Sequence, residues 1–297
     1  MRIVISGASG LIGTALTQRL SADGHTTVRL VRRPAQHGEA SWDPHSGRLD
    51  PAVLEDCDAV VNLSGAGIGD RRWTDEYKRE LLSSRIEGTG LLANTMASLD
   101  HPPAVFISGS AIGWYGDRGD EDLDESSPPG SDFLSDLCQR WEAATAPAER
   151  AGIRTVHIRT GIVLSRRGGS LKKQLPLFKL GIGGRFGSGR QWQSWISIDD
   201  EVGAICHLLS ADVGGPVNLT APNPVTNAEF TTTLGNVLHR PTLVPTPMLA
   251  PKLLFGAELA NTLLLSSQRV HPAKLSASGY EFRQATLDAA LHAVLGR

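Results

Sequence analysis

The stretch Arg2-Ile-Val-Ile-Ser-Gly-Ala-Ser-Gly-Leu-Ile-Gly13 decides the fold of this chain. Ile3-Val4-Ile5 is a short β-branched run closed by small residues, and from Leu11 apolar positions continue at helical spacing through Leu16 and Leu20. That succession reads as strand, turn, helix. The alternation recurs downstream, with "TTVRLV", "DAVVNLSG", "AVFISGS" and "RTVHIRTGIVL" as strands two to five. Between them lie the helical patterns "EYKRELLSSRIEGTGLLANTMASL" and "FLSDLCQRWEAATAPAERAG". Strands alternating with helices join through right-handed crossovers, so the expected class is α/β, a doubly wound parallel sheet with helices on both faces.

Beyond Ser165 the pattern changes. Residues 166–198 hold seven glycines, "DDEVGAICHLLS" resumes a helix, and prolines from Pro222 to Pro251 punctuate a region with helices expected near 226–239 and 250–264. The expected organisation is a nucleotide-binding domain over 1–165, its sheet completed by residues 190–220. Residues 166–297 then supply mixed substrate-binding segments and a small C-terminal domain at about 240–297. The chain has 297 residues, 40% of them hydrophobic, which is enough for a sizeable core. A net charge of −2 gives no overall reason to expect nucleic acid or a membrane surface as partner. Cys57, Cys138 and Cys206 are odd in number and lack zinc spacing, so neither a disulfide framework nor a metal site is expected. The start "MRIVISG" lacks a signal-peptide core, and no apolar run approaches the roughly 18 residues of a spanning helix. The cytoplasm is therefore the expected compartment.

Gly7, Gly10 and Gly13 fall between the first strand and its helix. Glycines there permit a tight turn, close backbone approach to a pyrophosphate and close helix-to-strand packing, while the helix N-terminus offers free N–H groups to phosphate. Ser9, Leu11 and Ile12 belong to the same candidate turn. Strand two ends in Arg32-Arg33 rather than an acid, and two guanidiniums suit a 2′-phosphate, which points to NADP(H) rather than NAD.

Together with this turn, "VVNLSGAGI", "SRIEGT", "FISGSAIGWYG", "RTGIVLS", "GSGRQWQSWISIDD" and the "PVTNAEF" run resemble the extended short-chain dehydrogenase/reductase superfamily. The nearest likeness is to its NADP-binding, epimerase-like branch, and it covers nearly the whole chain. The resemblance implies a Rossmann-type domain with a C-terminal substrate lobe. It also implies cofactor contacts at Arg32 and Arg33, at Leu63, Ser64 and Gly65, at Glu80 and Arg85, at Ser108, and at Ile162 and Val163.

Standard members join a serine after strand four to a Tyr-x-x-x-Lys pair, whose tyrosine moves the proton as hydride moves. Ser110 matches the serine. The fourth residue after Tyr77, Tyr115 and Tyr280 is Leu81, Gly119 and Gln284, so the pair is missing, and Leu134 and Cys138 stand at the matching positions. The candidate catalytic residues are Ser110 and, as a substitute proton donor, Tyr115. From Arg150 to Ile198 there are ten basic residues and no acid, which suits either an anionic substrate or a solvated face. Arg190, Trp192 and Trp195 are the candidate substrate contacts. Two function classes remain: an NADP(H)-dependent oxidoreductase or isomerase acting on a hydroxyl or carbonyl carbon of a small substrate, anionic or nucleotide-sugar in class, and a non-catalytic NADP(H)-bound sensor. Either is compatible with a monomer or homodimer.

Overall fold

The computed structural model describes residues 1–249, 252–253 and 256–296. In chain order the first half runs β1 (Arg2–Ser6), α1 (Leu11–Ala22), β2 (Thr26–Val31), β3 (Glu39–Asp43), β4 (Arg48–Leu49), β5 (Ala59–Asn62), α2 (Asp75–Ala97), β6 (Val105–Ala111), β7 (Asp122–Leu123), α3 (Phe133–Ala143) and α4 (Ala146–Arg150). The second half continues β8 (Arg154–Thr160), β9 (Ile162–Leu164), α5 (Gly169–Lys179), β10 (Trp192–Gln193), β11 (Trp195–Ser197), α6 (Ile198–Ser210), β12 (Gly215–Leu219), β13 (Val225–Thr226) and α7 (Asn227–Leu238). Helices Ala257–Leu265, Ala273–Ala277 and Leu287–Leu295 follow. The expected helix near 250–264 is seen as Ala257–Leu265, and positions 250, 251, 254 and 255 lie outside the described residues.

Eight strands form one sheet in the order β12-β8-β6-β5-β1-β2-β3-β4, parallel except for the β3–β4 pair. Strand period two distributes the core over both faces. Ile3, Ile5, Val61 and Ile107 pack on one face against α1 and α6, while Val4, Val60 and Phe106 pack on the other against Leu92 and Met96 of α2. Local caps set the helix starts: the Thr74 hydroxyl accepts from the Tyr77 N–H at α2, and Ser197 accepts from Asp200 at α6. Thr226 and Glu229 form a reciprocal capping box at α7.

Three departures from the sequence pattern have local causes. "RTVHIRTGIVL" is two strands, because at Gly161 the chain leaves β12 and pairs with β11 instead. A Cβ at Gly161 would stand 2.6 Å from the Ser194 carbonyl oxygen, so only glycine permits this approach. The helix expected over residues 133–152 breaks into α3 and α4, where Pro147 in the first turn of α4 has no N–H to continue the ladder. Finally β3 and β4, absent from the sequence pattern, extend the sheet beyond β2.

A second core holds the C-terminal segments. Trp195, Phe230, Leu234 and Leu291 cluster there, joining β11, α7 and the last helix. Buried Asp200 on α6 ties the segment 280–284 to the sheet domain, accepting from the Arg283 and Gln284 N–H groups and from the Tyr280 hydroxyl. Among the described residues no helix is long and apolar enough to cross a membrane.

Candidate functional site

Strand order reverses between β1 and β5, and there a groove of about 1200 Å³ opens along the carboxyl ends of the strands. Its floor is the glycine turn. Gly7 has a φ of +70°, and a Cβ on it would meet the Leu63 carbonyl oxygen at 2.5 Å. A Cβ on Gly13 would lie 2.2 Å from the Gly7 oxygen. Gly7 and Gly13 thus let three backbone segments meet, and the resulting cradle is one that side chains would fill. Gly10 caps α1 with no side-chain acceptor and no acid occupies the first turn, so the helix end presents free donors to an anion. Behind the turn the Asn62 amide oxygen accepts from Ser6 and from the Ser64 hydroxyl, and its nitrogen donates to Thr89 at 2.8 Å. That buried set holds the loop after β5 against the groove.

At the other end of the groove lie Arg32, Arg33, Glu39 and Trp42. Arg33 donates to both Glu39 carboxylate oxygens, at 2.7 and 2.8 Å, and Arg29 reaches the same acid at 3.0 Å. The Arg33 hydrogen bonds, reinforced by the Gln36 N–H, pull the Glu39 carboxyl down to about 2. Arg32 is exposed, and no described acid pairs with it.

A second, smaller cavity of about 240 Å³ lies between the sheet domain and the C-terminal lobe. The loop after β6, the face of α3, the β8–β9 junction, β10 and the helix Ala257–Leu265 surround it. Its lining is mainly apolar and includes Ile112, Leu134, Cys138, Ile162 and Trp192. Burial pushes the Cys138 thiol up to about 12, so it is neither thiolate nor base at neutral pH. Beside this cavity, and outside its lining, runs a buried polar chain. Ser110 Oγ donates to Glu142 at 2.6 Å, Arg159 grips the same carboxylate at 2.8 and 2.9 Å, and Arg159 also donates to the Tyr115 hydroxyl at 3.2 Å. The Tyr115 hydroxyl in turn donates to Asn218 at 2.7 Å.

Comparison with known proteins agrees with this architecture. Residues 3–220 match the model of the NAD dependent epimerase/dehydratase family, and residues 246–294 match a domain of unknown function, DUF1731. The chain belongs to the NAD dependent epimerase/dehydratase family. A Mycobacterium bovis epimerase family protein is 47% identical over 291 residues, 97% of this chain and 96% of the relative. The crystal structure of human epimerase family protein SDR39U1 with NADPH superposes with a TM-score of 0.91 at 38% identity, covering 100% of this chain and 99% of that one. A nucleoside-diphosphate sugar epimerase from Corynebacterium glutamicum has a TM-score of 0.80 at 39% identity, and this chain covers 58% of it.

Within this family member the structure sorts the expected site residues. Gly7, Ser9, Gly10, Arg32, Arg33, Leu63, Ser64, Gly65 and Glu80 line the groove. Gly13 lies beneath the turn, Leu11 turns toward Gly168, and Ile12 and Val163 pack on the core. Ser108 is buried within β6, and Ile162 lines the smaller cavity instead of the groove.

Other positions are corrected. Arg33 lines the groove but is paired with Glu39, an acid that arrives on β3, an element the sequence pattern did not show. Arg85 does not line the groove, and its guanidinium is buried behind Gly65 and borders the smaller cavity. Tyr115 is fully buried, with its hydroxyl committed to Asn218 and Arg159 and its titration pushed up to about 12 by burial, so it does not face the cavity as a proton donor. Ser110 likewise turns to Glu142. Trp195 is fully buried core, bonded to the Asn223 carbonyl, and exposed Arg190 lines neither cavity. Trp192 does line the smaller cavity, under the guanidinium of Arg269 at 4.4 Å.

Proposed function

We propose that this protein binds NADPH in the groove, with the pyrophosphate on the Gly7–Gly13 turn and the 2′-phosphate on Arg32. The reading rests chiefly on the side-chain-free cradle of Gly7 and Gly13 at the strand-order reversal, and the NADPH of the human relative supports it. Bound NADPH supplies a hydride. The cavity beside α3 then takes a small carbonyl or hydroxyl compound, with Leu134 and Trp192 excluding water and orienting it. The activity class is oxidoreductase or isomerase.

A second reading, an NADPH-bound sensor without turnover, is favoured by one observation. Among the described residues no side chain lining the cavity is placed as a general acid: Leu134 and Cys138 occupy the positions of the missing pair, and the Asp132 carboxylate caps α3 by accepting from the Ser135 N–H at 2.8 Å. A positioned acid or base contributes about 10²–10⁴-fold, so its loss separates the two readings by a measurable rate. The test is NADPH consumption across a panel of small carbonyls and sugar nucleotides. Net NADPH consumption with any carbonyl, or interconversion of any sugar nucleotide followed by chromatography, supports the enzyme; tight NADPH binding with neither across the panel favours the sensor. Equal affinity for NADPH and NADH sinks the assignment of Arg32.

A further inference from the structure

Arg85 carries an unanswered charge. It is 7% exposed, on α2, with Nη1 donating to the Leu81 carbonyl at 3.0 Å and Nη2 to the Ala66 carbonyl at 2.9 Å. Its guanidinium lies between Gly65, where a Cβ would come within 3.0 Å of Cζ, and the Trp141 ring, 5.0 Å from Cζ. Among the described residues no carboxylate pairs with it, and its buried Nε–H has no acceptor. Among the described residues it is the one cation lining the smaller cavity, and the one acid there, Asp132, is occupied as a helix cap. A buried, unpaired charge is costly, and a buried donor without an acceptor adds to that cost. The cost of the charge falls when an anionic oxygen enters the cavity and meets the edge of the guanidinium that borders it.

The cavity's size and lining restrict what brings that oxygen. About 240 Å³ lies below the roughly 300–1,000 Å³ of pockets that enclose drug-sized ligands, and the lining offers apolar surface from Leu134, Ile162 and Trp192. A nucleoside diphosphate sugar exceeds that space and presents at least two charges to a single cation.

We propose that this cavity is a binding site for a small monocarboxylate, whose carboxylate is received by Arg85 and whose body packs against Leu134, Ile162 and Trp192. This names the substrate class of the cavity and so rests on the reading of it as the substrate site. A charge-assisted hydrogen bond in a covered site distinguishes a carboxylate from its neutral amide by about tenfold or more.

The experiment is calorimetric titration of the full chain, with and without saturating NADPH, using acetate, isobutyrate and phenylacetate, their three amides, and UDP-glucose. At least one carboxylate is expected to bind about tenfold more tightly than its amide. Arg85→Gln should abolish that preference. Leu134→Trp, which fills the cavity and leaves Arg85 in place, should abolish carboxylate binding even if Arg85→Gln fails to fold. No preference for any carboxylate, a preference that survives Arg85→Gln, or displacement of bound carboxylate by UDP-glucose overturns the proposal. NADPH titrated separately into the same samples tests the groove alone. Loss of NADPH affinity with intact carboxylate preference counts against the cofactor reading and leaves this one standing.

Discussion

The groove and the smaller cavity are built by different means. The groove is made of backbone: Gly7, Gly10 and Gly13 lie within seven consecutive residues, and their function follows from lacking a side chain. The cavity is made of side chains from seven separated segments, and its character depends on which of them turn inward. Arg85 and Trp192 turn toward it, whereas Ser110 and Tyr115 turn away into the Glu142–Arg159 pair. A backbone site can therefore be recognised locally, while a side-chain site has no identity until the chain has packed.

The largest test of this contrast lies in the buried chain behind the cavity. Arg159→Ala leaves Glu142 buried without its partner, with an expected loss of about 3–5 kcal/mol by chemical denaturation. Ser110 belongs to the same chain, so Ser110→Ala should cost about 1–3 kcal/mol and leave NADPH affinity unchanged. A fall in NADPH affinity with stability intact would place Ser110 at the cofactor.

On the groove side, Gly13→Ala places a methyl against the Gly7 carbonyl. Overpacking of this kind costs about 1–3 kcal/mol, and NADPH affinity by fluorescence titration should fall with it. A variant that binds normally would show that the turn has room and that the cradle is not sterically set.

A third test concerns the shared wall. Glu201 is buried and accepts from Thr160, which lines the cavity, and burial pushes its carboxyl up to about 8. The folded state then holds a proton that the unfolded chain releases above about 4.5. Stability from this group is full below that pH and falls as pH rises toward 8. Glu201→Gln should flatten the wild-type decline in melting temperature between those values. An unchanged slope would assign the decline to other groups.

The smallest expected effect is at the edge of the groove. Arg32→Ala should weaken NADPH by about tenfold, near 1.4 kcal/mol, with NADH affinity unaltered. Arg33→Ala should do less, because Glu39 already holds that guanidinium.

Much of the fold was legible because strand period two and helical spacing repeat along the first 165 residues. The turn was legible for the same local reason. Glu39 was not, since "GEASWD" is too short and mixed to announce a strand, and the acid matters only once β3 lies beside β2. Nor was the fate of Tyr115, which is decided by Asn218, 103 residues away.

The sequence by itself determined a parallel nucleotide-binding sheet, its glycine cradle and the absence of the tyrosine–lysine pair, because each is a matter of residue type at fixed local spacing. Only the tertiary structure decided that Glu39 pairs with Arg33 and not with Arg32, that Ser110 and Tyr115 are locked in a buried chain, and that Arg85 borders a small cavity with no carboxylate paired to it among the described residues. Those outcomes depend on which distant carboxylates and carbonyls reach each side chain first, and packing alone sets that competition.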